Sequence, residues 1–142
     1  MEKSKVDAVL ELDNLSVKYH VEMTPDETLE FVERADTYNN FTSDILAKLI
    51  REINQIIPPM KFQKGNPNNG RSHHMFIVGN EGSRVIYLHI SKFYLRKEFQ
   101  GTPFDYKSLE KQLKLLAKQA KADEFYTVRN DDITFEYRFW WD

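Results

Sequence analysis

The chain has 142 residues, of which 41% are hydrophobic and 30% charged, and its formal net charge at pH 7 is −2. This length and composition are those of one ordinary globular domain, so we expect a single domain spanning 1–142. The sequence contains no cysteine, which excludes disulfides, thiolate metal sites and cysteine nucleophiles. The first residues contain no apolar run long enough for a signal sequence or a membrane span, so we expect a cytoplasmic protein with no membrane partner.

Alternation of apolar and polar residues predicts the first long strand. Every second residue over 15–23 is apolar, which is typical of a strand with one buried face. Residues 6–12 are predicted to form a shorter strand before it, with Asp13-Asn14 as the turn.

Two helices are predicted next. Thr24 is an N-cap residue, Pro25 occupies the first helical position and Glu27 completes a capping box, so a helix is predicted from there to about Asp36. A second helix is predicted from about Thr42, because apolar residues then recur at spacings of three and four. The two prolines that follow residue 57 end it.

Residues 58–72 are rich in Pro, Gly and Asn, and this composition predicts a long loop of the kind that is usually functional or disordered. Two strands are predicted after it, at about 73–79 and 83–96, joined by a glycine-containing turn. In the second of these strands Tyr87 and His89 lie opposite the apolar side.

The last part of the chain predicts a helix and a closing hairpin. Start signals at 102–105 open a helix that runs to about Lys121. Strands are predicted at 124–129 and 132–141. Apolar residues alternate along the second of them and are predicted to face the core: Ile133, Phe135, Tyr137, Phe139 and Trp141.

These elements together predict an α+β fold with a mostly antiparallel sheet of five to six strands. Their order matches an OB-like barrel in which a helical pair is inserted after the first long strand. A two-layer α/β sandwich fits the same order of elements, so both architectures stay open.

Charge is segregated along the chain. Residues 1–57 carry six Lys and Arg against twelve Asp and Glu, residues 58–122 carry twelve against four, and 123–142 carry two against six. The middle segment is therefore basic, with a net charge of +8, and it has no carboxylate between Glu52 and Glu81. Asymmetry of this kind concerns partners rather than fold.

Basic and aromatic residues occur together in this middle segment. Cations can follow the phosphates of a single strand while aromatic rings stack on its bases. The alternative is that the rings pack in the protein and the cations are ordinary surface residues. The candidate nucleic-acid contacts are Lys61, Lys64, Arg71, His73, Tyr87, His89, Lys92, Tyr94, Arg96 and Lys97.

Lysines recur along one side of the last predicted helix at spacings of three and four, opposite its leucines. Such a stripe is typical of a solvated helix face, and it also suits contact with a nucleic-acid backbone or an acidic protein. Its members are Lys107, Lys111, Lys114, Lys118 and Lys121.

Histidine chemistry has little support in the sequence. His73 and His74 are adjacent on a predicted strand, so they point to opposite faces and cannot bind one metal together. His89-Ile90-Ser91 has the His-x-Ser form of two-histidine phosphoesterases, but the second copy that such enzymes need is missing. We therefore expect no metal and no cofactor, and we assign no catalytic residue.

The leading hypothesis is non-catalytic binding of single-stranded nucleic acid, with DNA and RNA both open. The alternative is a protein-interaction module, either an inhibitor or an accessory factor, that uses its acidic helices or its basic face. A small phosphodiesterase using His89 and His73 is the third hypothesis. Contact between the acidic half of one chain and the basic middle of another, giving a homo-oligomer, is a further hypothesis.

Overall fold

A computed structural model describes residues 4–15, 17–35, 42–57, 74–91 and 106–141 of the chain. The predicted loop at 58–72 and the continuation of the second hairpin strand beyond Ser91 lie outside these ranges. The described elements form an α+β fold. In chain order they are α1 (Lys5–Asn14), β1 (Tyr19–Met23), α2 (Pro25–Arg34), α3 (Ser43–Ile56), β2 (His74–Asn80), β3 (Arg84–Ser91), α4 (Tyr106–Gln119), β4 (Glu124–Asn130) and β5 (Thr134–Trp141).

The prediction of a strand over 6–12 is wrong, because this segment belongs to helix α1. The side chain of Ser4 caps the helix by accepting a hydrogen bond from the backbone N–H of Asp7 at 3.1 Å. Val6, Val9 and Asp13 are buried, and their spacing of three and four is helical. The helix extends to the residues predicted as a turn, so Leu15 lies 69% exposed at its end and β1 begins only at Tyr19.

The predicted capping box of α2 is confirmed. The backbone N–H of Glu27 donates to the Thr24 hydroxyl at 3.2 Å, and the backbone N–H of Thr24 donates to the Glu27 carboxylate at 3.0 Å. These two bonds satisfy donors that the first turn of a helix leaves without partners.

The five strands form one antiparallel sheet in the order β1-β2-β3-β5-β4. Among the described residues β1 and β4 are the two edges and do not pair with each other, so the sheet is open. A barrel requires those edges to meet. The OB-like barrel is therefore not confirmed.

One face of the sheet and each of the four described helices contribute to one hydrophobic core. This layering corresponds to the two-layer alternative. Phe135, Tyr137, Phe139 and Trp141 face the core as predicted, and the indole N–H of Trp141 donates to the carbonyl of Ala120 at 2.9 Å. Ile133 is an exception, because it lies before β5 in the hairpin turn and is 61% exposed.

Candidate nucleic-acid interface

Two of the ten candidate contact residues lie in the described part of the chain. Tyr87 and His89 project from β3 on the face of the sheet opposite the core, as the alternation predicts, and both are partly buried. We call this surface the second face of the sheet. The remaining candidates lie outside the described residues: Lys61, Lys64, Arg71, His73, Lys92, Tyr94, Arg96 and Lys97.

A carboxylate in the β2–β3 turn organises the second face. Glu81 accepts a hydrogen bond from the Tyr87 hydroxyl at 2.9 Å and lies 2.8 Å from Nε2 of His20. It also accepts from Nε and Nη2 of Arg138 at 3.1 and 2.9 Å. Sheet register makes this possible, because Tyr87 and Arg138 are direct cross-strand partners.

Protonation equilibria on this face follow from these contacts. Partial burial by itself would raise the pKa of Glu81, but hydrogen bonds from Arg138, Tyr87 and His20 outweigh it and lower the pKa. Burial raises the pKa of Tyr87, and the bond to the Glu81 carboxylate raises it further. Glu81 is therefore ionised and Tyr87 neutral at pH 7.

Arg138 is held on several sides. Its guanidinium carbon lies 5.4 Å from the ring centre of Tyr126 and 5.8 Å from that of Trp140, and Nη1 donates to Glu124 at 3.0 Å. Cation–π contacts of this kind add to the ion pairs. The single positive charge of Arg138 is thus already paired with two carboxylates within the protein, those of Glu81 and Glu124.

His89 also has an acidic neighbour, since its Nδ1 lies 3.4 Å from the carboxylate of Glu136. A phosphate placed beside Tyr87 or His89 would therefore meet Glu81 or Glu136 at short range. The described part of the second face is aromatic, and its basic side chains, Arg138, His20 and His89, each lie beside a carboxylate.

Four exposed lysines lie along α4, opposite the buried residues Leu109, Leu113 and Ala117. We call them the lysine row: Lys107, Lys111, Lys114 and Lys118. With a rise of 1.5 Å per residue they extend over about 16 Å.

Lys121 does not belong to this row, although the sequence predicts it there. The helix ends at Gln119, and Lys121 has a positive φ of 58°. Its backbone N–H donates to the carbonyl of Lys118 at 3.1 Å, and that of Ala122 donates to Ala117 at 3.0 Å. These bonds form a Schellman motif, which turns the chain out of the helix before Lys121.

The lysine row differs from the arginines in its surroundings. Every arginine within the described ranges contacts a carboxylate at hydrogen-bonding distance. In the same ranges no carboxylate forms an ion pair with a lysine of the row. Glu110, the only acidic residue of α4, instead lies 3.4 Å from the hydroxyl of Thr127 on β4, which donates to it.

A groove between α3 and α4 lies beside the lysine row. It consists of two adjoining hollows of about 250 and 420 Å³ that share Lys48, Glu52, Leu116 and Gln119. Its apolar lining includes Ile45, Leu49, Leu116 and Ala120, and polar side chains of Gln55, Gln112 and Gln119 accompany it.

Sequence reasoning misses this groove, because it depends on how two distant helices pack. One local signal does exist: Leu115 falls outside the core side of α4 and is 57% exposed at the groove. An exposed leucine amid lysines and glutamines is the feature that could have indicated it.

Within the described part of the chain, no group of three or more His, Asp or Glu side chains is arranged to hold a metal ion. None of the helices in those ranges is long and apolar enough to cross a membrane. Comparison with sequence families, with curated proteins and with solved structures finds no match to this chain.

Proposed function

We propose that this protein binds single-stranded nucleic acid in the cytoplasm without catalysis. The observation that carries the proposal is the lysine row, in which four exposed ammonium groups follow one line and have no described carboxylate partner. Like charges three and four residues apart on a helix repel one another. A chain of phosphates relieves this repulsion, and the release of its counterions favours binding.

The surroundings of α4 favour a single strand over a duplex. On one side Glu110 receives the hydrogen bond from Thr127 of β4, and on the other side α4 packs along α3. A helix that reads duplex DNA enters the major groove as part of a motif such as a helix-turn-helix, and the sequence contains no such pattern. Within the described residues, one side of α4 carries the lysine row as a single line of cations, and we assign it to the backbone of one strand.

The acidic helices are less suited to act as the partner of the lysine row. Glu27 lies 3.8 Å from Lys5, Glu33 lies 2.7 Å from Arg51, and Arg34 contacts Asp7 at 2.8 Å. These carboxylates already have cations in their own chain. A homo-oligomer joined through these carboxylates would have to break such pairs, so we assign the row to an external polyanion.

Fluorescence anisotropy with single- and double-stranded oligonucleotides of equal length, at several salt concentrations, tests the proposal. With four lysines engaged, log K should fall with log salt at a slope of about −3, which is −0.7 per phosphate. Lys111→Gln should reduce the magnitude of the slope by about 0.7. Lys18→Gln removes one charge from an exposed lysine outside the row and should leave the slope unchanged.

An affinity that does not change with salt concentration, or equal salt slopes for Lys111→Gln and Lys18→Gln, would contradict the proposal.

The same anisotropy measurement tests the role of Tyr87. If it stacks on a base, Tyr87→Ala weakens binding by about 1–3 kcal/mol while the salt slope stays constant. If its ring only supports the Glu81 contacts, the variant loses stability and the folded fraction retains its affinity.

A further inference from the structure

We propose that the groove between α3 and α4 holds the bases of the strand whose phosphates lie on the lysine row. The inference rests on the proposed function and assigns the base contacts to a site away from the second face of the sheet. Row and groove run along the same helix, so a strand lying along α4 contacts both.

Leu115 connects the two surfaces. It follows Lys111 by four residues and precedes Lys118 by three, so the three side chains are neighbours on the helix surface. Leu115 also lines the larger hollow of the groove. A nucleotide whose phosphate lies at Lys111 or Lys118 is therefore close enough for its base to reach Leu115 and the groove beyond it.

The chemistry of the groove fits a base. Aliphatic side chains such as Leu49, Leu116 and Ile45 offer apolar contact to the flat faces of bases. The larger hollow, at about 420 Å³, lies within the usual range of ligand clefts, which is roughly 300–1,000 Å³.

Polar groups in the groove match the edges of bases. The amides of Gln112 and Gln119 each carry a donor and an acceptor, so they can pair with any base edge. Among the described lining residues, Lys48 and Lys121 add positive charge at the groove and Glu52 supplies the one carboxylate. Because the groove has a net positive charge, it does not repel the phosphates that lie on the neighbouring lysine row.

An abasic strand provides the test, because it keeps the phosphates and lacks the bases. We expect the wild-type protein to bind a base-containing oligonucleotide about tenfold more tightly than an abasic one of equal length, because the bases bury apolar area against the aliphatic lining. Leu115→Ser should weaken binding of the base-containing strand about fivefold and leave binding of the abasic strand unchanged. Lys111→Gln should weaken the binding of both.

Ile133→Ser is the matched control, since Ile133 is 61% exposed and lies in the β4–β5 turn away from the groove. Gln119→Ala serves as a second variant in case Leu115→Ser alters folding, and thermal unfolding of each variant checks this. Equal affinity of the wild-type protein for both strands would overturn the groove assignment and leave the proposed function standing. Failure to bind either strand would overturn both.

Discussion

Asp13 at the end of α1 and Arg84 at the start of β3 form an ion pair in the protein interior, with side chains only 4% and 7% exposed. The Tyr19 hydroxyl donates a second hydrogen bond to the same carboxylate at 3.1 Å. These contacts join three elements, α1, β1 and β3. A buried charge is costly unless it is paired and hydrogen-bonded, so this carboxylate fixes how the N-terminal helix lies against the sheet.

Replacing Asp13 should therefore destabilise the whole domain. Asp13→Ala leaves Arg84 buried without this carboxylate, and we expect a loss of about 3 kcal/mol in the free energy of unfolding. Urea denaturation measures this change. Asp132→Ala, at an exposed aspartate, should shift stability by less than about 0.5 kcal/mol. Equal stability of the two variants would show that the buried pair does not anchor α1.

Glu81 should make stability depend on pH. Its pKa in the folded protein lies below the ordinary value of 4.5. Its contribution is therefore present above about pH 4.5 and is lost as the pH falls through the folded pKa. Glu81→Gln removes this contribution.

The check is urea denaturation of wild-type protein and Glu81→Gln between neutral pH and pH 3. The difference in stability between them should be largest at neutral pH and should shrink on acidification. Other carboxylates titrate in both proteins, so the difference isolates Glu81. A difference that stays constant with pH would refute the assignment.

Gly79 is required by the close approach of β1. A Cβ at this position would lie 2.4 Å from the carbonyl oxygen of Tyr19 and 2.9 Å from the ring of His20. We expect Gly79→Ala to cost about 1–3 kcal/mol, because the backbone of β1 must shift. Hydrogen exchange should show the loss of protection concentrated in β1.

Gly82→Ala is the comparison for Gly79→Ala. A Cβ at Gly82 would meet no atom of the described residues within 4 Å, so we expect the cost of the substitution to come from the φ of +95°. The strain should therefore stay within the β2–β3 turn. Equal loss of β1 protection in both variants would show that the contact with Tyr19 is not the cause.

How much of the fold the sequence predicts depends on where the deciding contacts lie. The start of α2 is predictable because Thr24 and Glu27 are three residues apart and cap each other. Helix α1 is not, because Asp13 is held by Arg84, which is distant in sequence, and Arg34 of α2 contacts Asp7. The pattern of a short segment predicts a strand at 6–12, but these tertiary contacts stabilise a helix there instead.

The candidate site shows the same division. Alternation along β3 correctly places Tyr87 on the second face of the sheet. The contact of Tyr87 with Glu81 and Arg138 is not predictable in the same way. It depends on the strand register that brings β5 beside β3. The groove beside Leu115 depends on how α3 packs against α4. The spacing of residues within either helix does not predict that packing.

Two buried tyrosines should respond in opposite ways to loss of their hydroxyl groups. The Tyr137 hydroxyl is buried and has no hydrogen-bond partner in the described part of the structure, while the Tyr19 hydroxyl donates to Asp13. A buried polar group without a partner costs free energy, whereas a satisfied hydrogen bond contributes about 1 kcal/mol. Tyr137→Phe should therefore keep or raise the free energy of unfolding by up to about 1 kcal/mol, and Tyr19→Phe should lower it by about 1 kcal/mol. Both substitutions keep the ring and its packing, so urea denaturation of the pair compares the two hydroxyls alone. A Tyr137→Phe protein that is clearly less stable than the wild type would show that the Tyr137 hydroxyl has a stabilising partner.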